Sequence, residues 1–419
     1  MLRSALLLFT LFLVGISNAQ DSSYAKEMID SLCAPRYHGR GYVFQGDVKA
    51  ASFIERQCKE KGLKSFGNSY AQSFTLGVNT FPGDMSVKFN GELLQTGVDY
   101  QVNPGSQKIN GSYKVLYLKP NMVKNQEKIL KTASKKKVQN RFVVIDEASE
   151  NAIIEEFSKG INQNPLNAKG YVLLKDKKLT WWVSRRTYNT TILDVSKEGL
   201  DKKIKTVDLA IDQEWISDYQ SQNVVAFIPG QVDSMIVFSA HFDHLGRMGK
   251  DTYIAGASDN ASGSAMLLDL ADYYVEHPPK YNTIFIWFAG EEAGLVGSKF
   301  FVEHPLFPLN KIKFLLNLDL MADAKKGITV VNGSIFNDAF DRLNAINERE
   351  SLLNQVKARG AAANSDHYPF YEKGVPSFFI YTEGDYKHYH DVNDVPENIP
   401  LTNYSEVFQL ITSFVKEGF

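Results

Sequence analysis

Apolar residues in the C-terminal half of the chain come in short unbroken runs. Residues 223–227, 235–239, 283–288, 313–318 and 377–381 are such runs, and their length and content predict strands covered on both faces. Residues 264–274 repeat their apolar positions at helical spacing instead. Strand and helix patterns alternating after residue 217 predict an α/β fold, with a mainly parallel central sheet and helices on both faces. The N-terminal text predicts two helices, over 24–33 and 47–61, the second stopped by Gly62. Between about 75 and 205, alternating and β-branched runs at 86–89, 113–118, 141–145 and 170–174 are separated by Gly, Asn and Pro turns. That stretch reads as a β-rich insertion. The basic run 131–137 within it reads as a solvated face.

The first twenty residues follow another pattern. Arg3, an apolar run from Ala5 to Val14 and the small-residue end at Ala19 have the layout of a secretory leader. The run is shorter than the roughly 20 residues that a membrane span needs, and no later segment is long and apolar enough. The expected division is a leader over 1–19, the start of the main domain over 20–75, the insertion over 76–205 and the rest of the main domain over 206–419. Export, to a periplasm or the extracellular space, makes a disulfide between Cys33 and Cys58 possible, with a pair of buried thiols as the other reading. Such a bridge would contribute about 3–4 kcal/mol.

Composition narrows the class of partner. The 419 residues carry 46 basic and 48 acidic side chains, a net charge of −2. Without a basic excess, nucleic acid and anionic membrane surfaces are not expected. A small molecule or a peptide is. Nothing in the sequence sets the oligomeric state.

Open α/β sheets bind ligands beyond the carboxyl ends of their strands, and the chemistry-bearing residues collect there. The run 235–239 leads into His241 and Asp243, 283–288 into Gly290-Glu291-Glu292, and 313–318 into Asp319. The run 377–381 is followed by Tyr389-His390, and Gly256-Ala257-Ser258-Asp259-Asn260 precedes a helix. A lone histidine or an adjacent pair of acids is ordinarily surface charge. Five segments delivering such residues to one sheet edge form a coherent set, because two imidazoles and three carboxylates suit zinc.

In order, His-x-Asp, Ser-Asp-Asn-Ala-Ser-Gly, Gly-Glu-Glu, Asn-Leu-Asp and Tyr-His-x-x-x-Asp resemble the motifs of the M28 family of di-zinc peptidases, across about residues 217–419. The resemblance implies the zinc-exopeptidase α/β fold (phosphorylase/hydrolase-like) and a protease-associated-like insertion. It also implies two Zn2+ per chain and hydrolysis of peptide substrates, most simply as an aminopeptidase. His241 and Asp319 would hold one zinc, Glu292 and His390 the other, and Asp259 would bridge them. His388 has the same parity as His390 on an extended segment, but the family spacing selects His390. Asp243 would orient His241, since both leave the same face of an extended strand. Glu291 would be the general base and acid, moving a proton from the attacking water to the leaving amine. Tyr389 either donates to the developing oxyanion or packs. Asp366, in Ser365-Asp366-His367-Tyr368-Pro369-Phe370, lies in a recurrent family segment and either stands behind the ligands or caps a turn.

Some readings remain open at this point. A glutaminyl cyclase-like aminoacyltransferase uses one zinc and lacks the first ligand histidine, so the presence of His241 and Asp319 speaks against it. Carboxypeptidase or dipeptidase activity in the same family depends on loops the sequence does not place. His244, His277 and His304 read as surface residues, and the sequon at Asn260 as chance. The segment Leu320-Met321-Ala322-Asp323 departs from the family's Met-Gly, which bears only on the shape of that loop.

Overall fold

The computed structural model describes residues 22–147, 151–200 and 202–418, so the leader read in residues 1–19 lies outside the described residues. Among the described residues, no helix is long and apolar enough to cross a membrane.

The apolar runs become the middle of a large sheet. Tyr281–Phe288, Val232–His241, Ile312–Leu318 and Ser377–Glu383 lie side by side and parallel. The parallel expectation holds for this centre but not for the flanks. Glu214–Ile228 joins one side antiparallel, and Gly327–Val331 joins the other antiparallel.

Successive residues of a strand point to opposite faces, so a run buried on both faces feeds two cores. Ile236, Phe238 and Ala240 face the larger one, built with the helices Ser22–Leu32, Gly46–Glu60, Gly263–Glu276 and Tyr404–Glu417. Met235 and Val237 face the other, with Phe301 of Val296–Glu303 and Phe370 of His367–Glu372. Each fully buried aliphatic or aromatic side chain there contributes roughly 1.5–3 kcal/mol.

The insertion is more than β-rich. Among the described residues a second sheet of eight strands is built from it together with Thr206–Ile211, just past the expected boundary at 205. At its centre Ile109–Tyr117, Arg141–Asp146, Gly170–Lys175 and Thr191–Ser196 run parallel. Parallel neighbours need crossovers, and two of these carry the helices Gln126–Lys136 and Ala152–Lys159. Asn125 and Asn151 cap them, the first side chain accepting from the Lys128 N–H and the second from those of Ile153 and Ile154. The lysines of the 131–137 run lie exposed on the first helix and its end, so a helix stood where charge suggested only a solvated face. Ala71–Thr80 and Glu214–Ile228 pair antiparallel as the two chains that lead into and out of this second sheet.

The cysteines are two free buried thiols, not a disulfide. They have separate surroundings. Cys33 Sγ lies 3.5 Å from the Ala255 carbonyl and beside Arg40, whereas Cys58 is on the second helix near Glu55 and Lys61. Burial pushes the Cys33 thiol up to about 12, which keeps it unreactive.

Candidate active site

The carboxyl ends of the four parallel strands converge on one cavity of about 220 Å3 whose lining includes His241, Asp259, Glu291, Asp319, Tyr389 and His390. Its centre is Asp259. Oδ1 of that carboxylate lies 3.2 Å from His241 Nε2, and Oδ2 lies 3.1 Å from His390 Nε2. Asp259 is thus flanked by an imidazole on each side. On the first side His241 Nε2 also lies 3.3 Å from Asp319 Oδ1. On the other, His390 Nε2 lies 3.4 Å from Glu292 Oε2.

Each of these side chains is braced from behind. Asp394, the last residue of the Tyr-His-x-x-x-Asp motif, accepts from the backbone N–H groups of Ser258 and Asp259 at 2.8 and 3.1 Å. That aims the Asp259 loop. Ser365 Oγ donates to Asp319 Oδ2 at 3.1 Å and accepts from Asn317 Nδ2 at 2.8 Å, and Asn317 Oδ1 accepts from Ser239 Oγ at 2.7 Å. His241 Nδ1 faces the backbone carbonyl of Asp243 at 3.1 Å. The carboxylate of Asp243 is farther from that ring, at 3.8 Å. So it is the carbonyl of Asp243 that orients the histidine.

His244 is a correction. It reads as a surface residue in the sequence, yet it is wholly buried and its Nδ1 meets Glu292 Oε1 at 2.8 Å. The chain leaves its strand at His241, so alternation no longer applies and the ring turns inward. Gly256 makes room, because a Cβ there would lie 2.4 Å from the His244 ring. His277 and His304 are exposed as expected. Asn260 is fully buried, its side chain bonded to Leu318 and Gly263, which leaves no room for a glycan.

The ring of Tyr389 stacks on His390 at 3.8 Å and is half exposed, a packing contact at the cavity rim. Asp366 is buried and makes no side-chain cap to the helix it begins. Burial pushes it up to about 7, and its charge is felt by Glu291 and Asp243. His388 turns away from the centre to Asp391.

Arg40 shows no signal in the sequence beyond a glycine on either side. It is fully buried. Its guanidinium donates to the carbonyls of Phe242 at 2.7 Å, Ala255 at 2.5 Å and Gly256 at 2.7 Å. One side chain thereby ties the His241 loop to the Asp259 loop. A Cβ on Gly39 would lie 2.3 Å from the Ile254 carbonyl, and one on Gly41 would lie 2.4 Å from Gly246 Cα. Only glycines let the backbone come close enough for Arg40 to reach.

The adjacent acids are driven apart. Burial, together with the carboxylates of Glu292, Asp366 and Asp319, lifts Glu291 well above the usual range against the pull of His241. Burial opposes ionisation of Glu292 too, but the charge of His390 and hydrogen bonds from His244 and His390 bring it down to about 2. The two adjacent carboxyls are thus shifted in opposite directions by their surroundings.

The donor set suits a divalent cation. His241, Asp259 and Asp319 present ligand atoms within 4.8 Å of one another, and so do His244, Asp259 and Glu292. The buried Oδ1 of Asp319 has no hydrogen-bond donor. Carboxylates this crowded and buried need compensating positive charge, and nitrogen with oxygen donors is a zinc set.

Residues 223–415 match the family model of peptidase family M28. The chain is 29% identical over 222 residues to a probable leucine aminopeptidase of Trichophyton verrucosum, covering 49% of this chain and 58% of that protein. To a probable leucine aminopeptidase of Arthroderma otae it is 28% identical over 269 residues, covering 58% of this chain and 71% of the relative. The chain thus spans less than two thirds of the length of the first of these relatives. Its fold is similar to that of BSAP, a zinc aminopeptidase from Bacillus subtilis, with a TM-score of 0.71, 19% identity and 95% of each chain covered. It is also similar to a peptidase M28 precursor from Shewanella amazonensis SB2B, with a TM-score of 0.66, 17% identity, and 94% of this chain and 93% of that one covered. Residues 223–415, a little under half of the chain, are thus similar to peptidase family M28, and the chain as a whole shares the fold of these two solved structures.

Proposed function

We propose that this protein is a two-zinc aminopeptidase that hydrolyses the first peptide bond of substrates with an apolar N-terminal residue. The observation that carries the reading is Asp259, whose two carboxylate oxygens face His241 on one side and His390 on the other. A bridging carboxylate between two three-donor sets is what a pair of ions requires. Asp319 completes the first set and Glu292 the second.

Zinc held there would lower the pKa of a bound water towards about 7 and polarise the scissile carbonyl. The remaining chemistry belongs to the chain. Glu291 enters the cavity with its affinity for a proton raised, as a general base needs to take a proton from water and return it to the leaving amine. Asp243 fixes the backbone beneath it. Tyr389 stacks on His390 at the rim of the same cavity, within which it could donate to the developing oxyanion. Leu320, Phe379 and Tyr381 form an apolar wall of the same cavity, which suits a leucine-sized side chain.

The test is hydrolysis by purified protein of Leu-, Lys- and Glu-p-nitroanilide and of N-acetyl-Leu-p-nitroanilide, with and without chelator. The expected result is cleavage of the free leucyl substrate, none of its acetylated form, loss with chelator and recovery with zinc. A protein that carries zinc and cleaves the acetylated substrate, or no free-amine substrate, refutes the reading.

A further inference from the structure

Residues 178–184 belong to the second sheet, in the crossover between Gly170–Lys175 and Thr191–Ser196, yet they grip the last metal-ligand loop of the first. His390 Nδ1 faces the Trp181 carbonyl at 2.8 Å, and the Trp181 N–H donates to the His390 carbonyl at 3.1 Å. Three residues earlier, Lys178 Nζ donates to the carbonyls of Lys387 at 2.5 Å and Tyr389 at 2.8 Å. It also pairs with Asp391 at 2.6 Å. The crossover is itself anchored, since Trp181 Nε1 donates to Val102 at 2.7 Å and its ring lies in the second sheet's core. Val392 packs against that same core.

His390 needs such support. Its φ of +57° is a left-handed conformation that a side chain other than glycine adopts only when its surroundings impose it. The first metal set meets the second sheet less directly: Leu245, Met248 and Ile254, between His241 and Asp259, pack in that sheet's core, but the side chains of His241 and Asp319 are held from within the main sheet. His241 is oriented by the Asp243 carbonyl and Asp319 by Ser365, all residues of the main sheet and its loops.

We propose that Lys178 and Trp181 are positioning residues of the metal centre, so that the second sheet sets zinc affinity at the Glu292/His390 site and not at the His241/Asp319 site. This rests on the proposed role of His390 as a ligand. A histidine whose far nitrogen is fixed by a carbonyl is held in one tautomer and one orientation. Loosening the crossover would therefore release one zinc ahead of the other.

The test is titration of the metal-free full chain with Zn2+ against a chromogenic chelator, for wild type, Lys178→Met, Lys178→Arg and Trp181→Phe. Lys178 is 40% exposed, so the fold should survive its replacement, and circular dichroism checks this. Lys178→Met is expected to weaken one of two zinc sites by about 10–100-fold and leave the other unchanged, with Lys178→Arg closer to wild type. Trp181→Phe, which keeps the carbonyl but loses the indole anchor, should weaken the same site by less. With Co2+ in place of zinc, only the absorption of the affected equivalent should change. Wild-type affinity at both sites in Lys178→Met and Trp181→Phe, or equal loss at both, overturns the proposal. If wild type binds two zincs but cleaves no free-amine substrate, the peptidase reading fails while these affinities still decide this one. If wild type takes up no zinc, both fail.

Discussion

The backbone N–H of Glu291 donates to Oδ1 of Asp243, 3.2 Å away. The other oxygen of Asp243 accepts from the Tyr42 hydroxyl at 3.1 Å, and the Asp243 carbonyl faces His241. One residue thus fixes the backbone of the proposed base and the ring of a proposed ligand. Asp243→Ala removes both carboxylate acceptors, keeps the carbonyl that faces His241 and leaves the Glu291 N–H unsatisfied, at a cost of about 1–3 kcal/mol in stability. We expect kcat to fall about 10–100-fold with KM little changed. Steady-state kinetics and chemical denaturation measure the two effects; an unchanged kcat would show that Asp243 only supports the fold.

Glu291→Gln removes the proposed proton carrier while Glu292 keeps its place. Removing general base and acid work should lower kcat by about 10²–10⁴-fold, with zinc content equal to wild type. Activity assays and metal analysis on the same preparation decide this. Full activity with zinc retained refutes the assignment of the base.

Metal removal should destabilise the fold. With zinc free at 100 times its dissociation constant, one site contributes about 2.7 kcal/mol, and the buried carboxylates of Asp259, Asp319 and Glu292 lose their counter-charge. Thermal melts with and without chelator should therefore differ by several degrees, and added zinc should restore the higher transition. Coincident melts would argue against a buried metal centre.

Arg40→Lys replaces a planar fork that reaches two loops with a single ammonium that cannot span them. Carbonyls of Phe242, Ala255 and Gly256 compete for fewer donors, and the expected loss is about 2–4 kcal/mol. Zinc affinity should fall too, because both ligand loops are loosened. Urea unfolding and zinc titration of the variant provide the comparison, and wild-type values for both would remove Arg40 from the account.

Burial pushes His367 down to about 3. Between that value and the ordinary 6.5 the unfolded chain binds more protons than the folded one. Stability therefore rises with pH across this window and is lost as pH falls through it, with a slope approaching 1.4 kcal/mol per pH unit. His367→Phe keeps an aromatic ring against Phe379 and should flatten that acid limb. Unfolding free energies from pH 7 to 4 test it, and identical slopes would refute it.

Much of this was legible in the residues. Runs such as 235–239 and 283–288 encode strands through local periodicity, and polar residues just past their ends mark the site. Glu292 and Asp319 stand just past such runs, and Asp259 stands in the loop before a helix. Local pattern fails where the chain leaves regular structure. His244 looked like surface because alternation stops at His241, and the helix Gln126–Lys136 was hidden by its lysines.

By itself, then, the sequence determined the strands of the central sheet and the order along the chain of the candidate ligand residues, because these depend on neighbours a few positions away. Tertiary structure decided which carboxylate oxygen faces which imidazole, that Cys33 and Cys58 stay apart, that Arg40 ties two loops, and that Trp181 holds His390. Those contacts join residues up to 216 positions apart, and packing and backbone hydrogen bonding, which no local pattern records, bring them together.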